Sequence, residues 1–136
     1  EIKRYHGNLE RRKFIHERYS KAFSELSYCQ VPLGEEEDRC PSWHLYLLRL
    51  IDLTEEKRDQ LIIDIESKGI SVNVHFIPLP MLTAYKNMGY YIKDFPVSYD
   101  NFSRVISLPL YYQLTDEQVD FIINQVKDVL KAHFNG

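Results

Sequence analysis

Histidine, cysteine and lysine are the side chains of this sequence best able to do chemistry, so their placement comes first. The histidines are His6, His16, His44, His75 and His133. None pairs at helical spacing with a second ligand and a carboxylate, so no metal site is predicted. The two cysteines, Cys29 and Cys40, lie in or beside one acidic loop. A disulfide between them is open, but two thiols without a secretory leader make neither a disulfide framework nor a zinc site. They read as reduced, incidental thiols of a cytosolic protein. There is no glycine-rich phosphate loop and no G-x-G-x-x-G. No nucleophile stands out beside a base, and the sequence does not read as a self-sufficient active site.

One histidine is set apart by its neighbours. In "GISVNVHFIPLP", Gly69 to Pro80, the alternation predicts a strand with Ile70, Val72, Val74 and Phe76 on a core face. Ser71, Asn73 and His75 share the other face, which is polar but uncharged and therefore looks at something. Pro78 and Pro80 cannot donate ladder hydrogen bonds, so pairing is expected to stop at Ile77. His75 stands between a site role and a structural one. His44 reads as a core histidine, on a face with Tyr46, Leu48 and Leu50. His6 and His133 read as surface residues.

The elements that must position these residues follow the apolar spacing. Ile2, Tyr5, Leu9, Ile15, Tyr19, Ala22, Phe23 and Leu26 make one stripe of a long helix, with Asn8 as an alternative N-cap after Gly7. Arg12 and His16 lie in that stripe. They either snorkel at its edge or meet another domain or subunit where a cation is wanted. "CQVPLGEEEDRCPS" is a loop whose acidic run, Glu35 to Asp38, reads as a solvated tip. "WHLYLLRLI", Trp43 to Ile51, is apolar on both faces and reads as a central strand. Thr54 caps a helix with Glu55 and Glu56 in its first turn, Leu61, Ile62 and Ile65 in its buried stripe, and Gly69 at C′. Short helical segments follow through "LTAYKNMGYY" and "DFPVSYDNFSRV", then a strand, "ISLPLYY", ended by Pro109. Thr115 and Gln118 form a capping box for the last helix, with Leu114 and Val119 as its hydrophobic staple.

The order predicts an α/β (α+β-like) fold, a small three- to four-stranded sheet packed with helices. The 136 residues suit one domain, and 44% hydrophobic content suits a soluble one. A net charge of −3 lacks the basic excess of a nucleic-acid binder, and no strand carries stacked aromatics with basic flanks. No apolar run reaches the ~20 residues of a membrane span. The chain starts at Glu1 within helix-like sequence and reads as a piece of something longer.

Eight short motifs then occur in order. They are Arg12 to Tyr19, "HLY" at His44 to Tyr46, "RDQL" at Arg58 to Leu61 and "GISVNVHFIPL" at Gly69 to Leu79. Ala84-Tyr85 with Gly89-Tyr90, Phe95-Pro96, "SLPLY" at Ser107 to Tyr111 and "LTDEQVDFII" at Leu114 to Ile123 complete the set. Together they resemble the C-terminal domain of the DegT/DnrJ/EryC1/StrS family of sugar aminotransferases, over nearly the whole chain. The resemblance implies the small C-terminal domain of a fold-type I enzyme that uses pyridoxal 5'-phosphate. Such enzymes move an amino group, commonly from glutamate, to a keto sugar carried on a nucleotide, for cell-surface polysaccharide or amino-sugar biosynthesis. A cytoplasmic homodimer is implied, with active sites at the subunit boundary.

Residues 1–27 would then be the long helix leading from a large domain, and residues 28–136 the small domain. The family's Schiff-base lysine belongs to the large domain, and none of the lysines here matches its motif. No catalytic and no cofactor-binding residue is therefore expected in this stretch, which would bind no cofactor and be inactive alone. What the resemblance does assign is substrate contact: His75 and Phe76 would shape the sugar-nucleotide side of the cleft. Phe76 stands where many members have tyrosine. Without its cover, the first helix would leave Tyr5, Leu9, Ile15 and Tyr19 on an unfilled face. The rival reading is a stand-alone small α/β ligand-binding or regulatory domain.

Overall fold

The computed structural model describes residues 4–135; Ile2, the first residue of the predicted stripe, lies outside them. Helix α1 (Tyr5–Phe23) is followed by β1 (Cys29–Gln30), β2 (Tyr46–Leu50) and α2 (Glu55–Glu66). Two short helices, α3 (Thr83–Asn87) and α4 (Pro96–Ser103), precede β3 (Val105–Leu108) and the long α5 (Asp116–Asn135). The sheet is three-stranded and antiparallel in the order β1-β2-β3, which puts β2 at its centre as expected. β1 was hidden in sequence because two residues, Cys29 and Gln30, are too few to show a period.

Alternation along β2 sorts the two faces of the sheet. Tyr46, Leu48 and Leu50 are fully buried and meet Ile15, Tyr19 and Phe23 of α1, Leu61 and Ile65 of α2, and Val119, Val126 and Leu130 of α5 in one core. Ile15 and Tyr19 therefore do not sit on an unfilled face; the domain's own helices and sheet cover them. At about 25 cal/mol per Å² of apolar surface, burying such side chains supplies most of the drive to fold. Leu47 and Arg49 point the other way and are half-buried.

Several local readings hold. Thr54 accepts from the Lys57 N–H at 3.4 Å. Gly69, at φ +80°, does turn the chain out of α2, but two residues past the C-cap Ser67 and so one position beyond the expected C′. Thr115 accepts from the Gln118 N–H at 3.3 Å, while Gln118 Oε1 accepts from the Thr115 N–H at 3.0 Å. Leu114 and Val119 beside this box are both buried.

Others are corrected. Asn8 is no N-cap, because α1 runs through Gly7 and Asn8 from Arg4. His16 does not snorkel: it is buried, edge-on to Trp43 (4.8 Å) and Tyr46 (4.9 Å). Apolar surroundings hold its pKa below the ordinary imidazole value. His44 is exposed rather than in the core. Trp43 takes a left-handed backbone (φ +52°), so the strand starts only at Tyr46 and the alternation cannot be carried back to His44. His133 is not a free surface group; it lies 2.6 Å from Asp64 across α2 and α5.

The segment from Ile70 to Ile77 is not a strand. It makes a single antiparallel bridge, in which the Asn73 N–H donates to Ser107 O (3.3 Å) and the Ser107 N–H to Asn73 O (2.7 Å). Pairing stops at Asn73, four residues short of Ile77. In that register Pro109 stands opposite Ser71 and has no N–H to give, and the chain bends at His75. Ile70 and Val72 do reach the core, but Phe76 is 70% exposed and does not. Among the described residues no helix is long and apolar enough to cross a membrane.

Candidate functional site

The face of the sheet turned away from the helical core is where chemistry can happen. Register places Leu47 opposite Ser107 and Arg49 opposite Val105, so all four side chains share that face. Above them lies a cleft of about 430 Å³, lined by Leu47, Arg49, Val105, His75, Phe76, Pro78 and three residues of α4, Ser98, Asn101 and Phe102. A larger cavity of about 630 Å³ lies on the other side of α4, against the start of α2, and is bordered by Glu55, Glu56 and Asp100. Neither His75 nor Phe76 lines it.

His75 is fixed from below. Its Nδ1 lies 2.8 Å from the Oγ of buried Ser107, which settles the ring's orientation and leaves Nε2 as the other polar atom of the imidazole. Ser107 is itself held by both backbone bonds of the Asn73 bridge. His75 also borders a smaller hollow of about 210 Å³, with His44, Ser71, Asn73 and Ser107 on its walls. The polar face read from the sequence, Ser71, Asn73 and His75, therefore lines a cleft. Phe76 lines only the 430 Å³ cleft.

Two arginines hold the far wall, Arg58 from behind it and Arg49 within it. Arg58 lies fully buried in α2 and donates through Nη1 to the carbonyls of Phe102 (2.6 Å) and Val105 (3.3 Å). Its Nε donates to Asp59 at 2.8 Å, and its guanidinium lies 4.9 Å from the Phe102 ring. These contacts satisfy a carbonyl in the last turn of α4 and one at the start of β3, and so tie that helix to the sheet. Arg49 donates through Nη1 to Asn101 Oδ1, and Asn101 in turn donates through Nδ2 to Val97 O at 2.8 Å.

Sequence reasoning missed Ser107, Arg49 and Arg58. Two signals were available: Arg49 is the one charge inside "YLLRL", and Arg58 continues the stripe of Leu61, Ile62 and Ile65 at helical spacing.

The site has no reactive pair of its own. Ser107 Oγ is covered and bonded to the ring that would have to activate it. Neither cysteine offers a thiolate at this cleft: burial pushes the Cys29 thiol up to about 12, and Cys40 is exposed on the acidic loop. The arrangement can orient and discriminate a bound molecule, through an aromatic edge, a fixed imidazole and a guanidinium.

Comparison with known proteins shows the family of the chain. The family model described as the DegT/DnrJ/EryC1/StrS aminotransferase family matches residues 1–127. The spore coat polysaccharide biosynthesis protein SpsC of Bacillus subtilis is 34% identical over 138 residues, covering 97% of this chain and 34% of SpsC. Spr1654 of Streptococcus pneumoniae, a candidate sugar aminotransferase, is 38% identical in its pyridoxal phosphate (PLP) form, with TM-score 0.93 over 98% of this chain and 34% of that one. Its apo-form gives TM-score 0.91. The chain thus spans about a third of the length of the relatives it matches.

Proposed function

The chain belongs to the DegT/DnrJ/EryC1/StrS aminotransferase family, and from that premise we propose that it is the substrate-facing C-terminal part of a PLP-dependent sugar aminotransferase. The longer polypeptide would transfer an amino group from glutamate to a keto sugar carried on a nucleotide, as a cytoplasmic homodimer, in polysaccharide or amino-sugar biosynthesis. The observation that carries this reading is the likeness, over nearly the whole chain, to a solved protein with a PLP form. Residues 1–27 are assigned to the connection with a larger domain and residues 28–136 to the small domain. Phe76, Met88 and Val97 are each at least 70% exposed, and this reading gives their surface to the rest of the polypeptide or its dimer partner.

Within that enzyme His75 and Phe76 contact the sugar nucleotide. His75 offers Nε2 to a sugar hydroxyl or carbonyl while Ser107 holds Nδ1. Phe76 presents an exposed ring against which an apolar sugar face or a base can pack.

The cofactor's chemistry, withdrawal of electrons from the carbon that carries the amine, needs a lysine for its covalent anchor. The residues of this chain do not fit that part. No lysine lines the His75 cleft, and none from Lys13 to Lys131 is buried. The Glu35 carboxylate raises the pKa of Lys13, opposite to what a nucleophilic amine requires. The anchor is assigned to the larger domain.

The test is a transamination assay on the product of the complete reading frame containing this chain, with glutamate and nucleotide-linked keto sugars. His75→Ala is expected to raise KM for the sugar nucleotide about tenfold, the loss of one hydrogen bond to a bound polar group, with KM for glutamate unchanged. Absence of transamination with any keto sugar nucleotide contradicts the reading.

A further inference from the structure

The His75 cleft contains a cation that the assignment of His75 and Phe76 leaves unused. Arg49 is a half-buried guanidinium in the middle of an otherwise apolar strand. Among the described residues no carboxylate forms an ion pair with it, whereas Arg11, Arg18, Arg39, Arg58 and Arg104 each have one. Its one hydrogen-bond partner there is the neutral amide oxygen of Asn101, which takes Nη1. Asn101 is anchored to α4 through Val97 O, so the guanidinium is oriented from the backbone outward. The cleft lining contains no aspartate and no glutamate. The nearby Asp100 carboxylate is itself paired with Arg104. Moving a charge out of bulk water with no carboxylate in direct contact costs free energy, and an oxyanion in the cleft would offset that cost. The planar fork still has donors left for two oxygens of one anion.

We propose that Arg49 is the oxyanion-binding residue of this cleft and receives a phosphate or carboxylate group of the substrate, with Asn101 as its positioning residue. The inference rests on reading the His75 cleft as the substrate side and adds the ligand's charged group to it. Arg49 and Phe76 line the same cleft, so the ligand it suits joins an oxyanion to an apolar or ring-bearing portion. Two oxyanions fit that chemistry, the diphosphate of a nucleotide sugar and the carboxylate of an amino donor.

The experiment is an NMR titration of the 15N-labelled 136-residue chain with inorganic pyrophosphate in one arm and glutarate in the other, at constant ionic strength. The expected result is a saturable shift of the Arg49 Nε–H and the Asn101 side-chain amide in at least one arm. The arm that saturates at lower concentration identifies the source of the oxyanion. Arg49→Gln should weaken that binding about tenfold or more. Arg49→Lys, which keeps the charge and loses the fork, should fall between, while Arg39→Gln on the acidic loop should leave it unchanged. A purely structural Arg49 predicts altered stability without any anion-dependent shift.

Absence of saturation in both arms, or equal affinity in wild type and Arg49→Lys, overturns the proposal; should Arg49→Gln fail to fold, the lysine variant decides alone. None of these outcomes bears on transamination by the complete product, so failure here is distinct from failure of the functional reading.

Discussion

Arg58 connects the core to the cleft. Its guanidinium satisfies one carbonyl in the last turn of α4 and one at the start of β3, and replacing it with alanine strands both of them and opens a cavity beside Phe102. Arg58→Ala is expected to destabilise the chain by about 3 kcal/mol, read as a lower urea midpoint, because a buried charge network loses its centre. A midpoint equal to wild type would show that α4 is held by something else. His16 makes the second residue-scale prediction. Its folded pKa is depressed by burial against Trp43 and Tyr46, while the unfolded ring titrates near 6.5. Above that pH both states are neutral and the group contributes nothing to the pH dependence. As pH falls below 6.5 the unfolded chain takes up a proton that the folded chain refuses, so stability drops. His16→Phe should remove this component, so the stability difference between wild type and variant should change between pH 7.5 and 5.5, as measured by urea unfolding. A constant difference would contradict it. The sequence had the two histidines reversed, His16 outside and His44 inside. Helical spacing does not fix how deep a stripe edge lies, and the left-handed Trp43 is invisible to an alternation count.

At the scale of elements, end signals were legible and pairing was not. Caps are local chemistry, so Thr54, Gly69 and the Thr115–Gln118 box could be read directly. Thr115→Ala should cost about 1 kcal/mol through the N-terminus of α5, and a denaturation midpoint unmoved from wild type would show that the box is not formed. Strand status depends instead on what lies alongside. Ile70 to Ile77 has the right alternation, yet its neighbour β3 runs into Pro109, and the ladder ends after one bridge. That failure has a use: a segment released from the ladder can bend at His75 and turn Phe76 outward to the cleft. The prolines after His75 therefore do not set where pairing stops: Pro109, opposite Ser71, limits the ladder on one side of the Asn73 bridge, and the bend at His75 ends it on the other.

For the molecule as a whole, one core joins α1, α2, α5 and the sheet, and the cleft lined by His75 and Arg49 lies on the opposite face of the sheet. The fold class was legible because its helices carry clear apolar stripes. Of the residues that line or brace the cleft, only His75 and Phe76 were singled out in the sequence, since Ser107, Arg49 and Arg58 are tied to it through tertiary contacts between residues 32 to 52 positions apart. The central claim is a division of labour: this chain shapes the substrate cleft, and the cofactor's lysine lies elsewhere in a longer polypeptide. Borohydride reduction in the presence of pyridoxal phosphate, followed by peptide mapping, tests it on the complete reading-frame product and on the 136-residue chain in parallel. The account predicts stoichiometric labelling of one lysine in the complete product, outside residues 1–136, and no single labelled lysine in the chain alone. Stoichiometric labelling of any one lysine between Glu1 and Gly136 would contradict it.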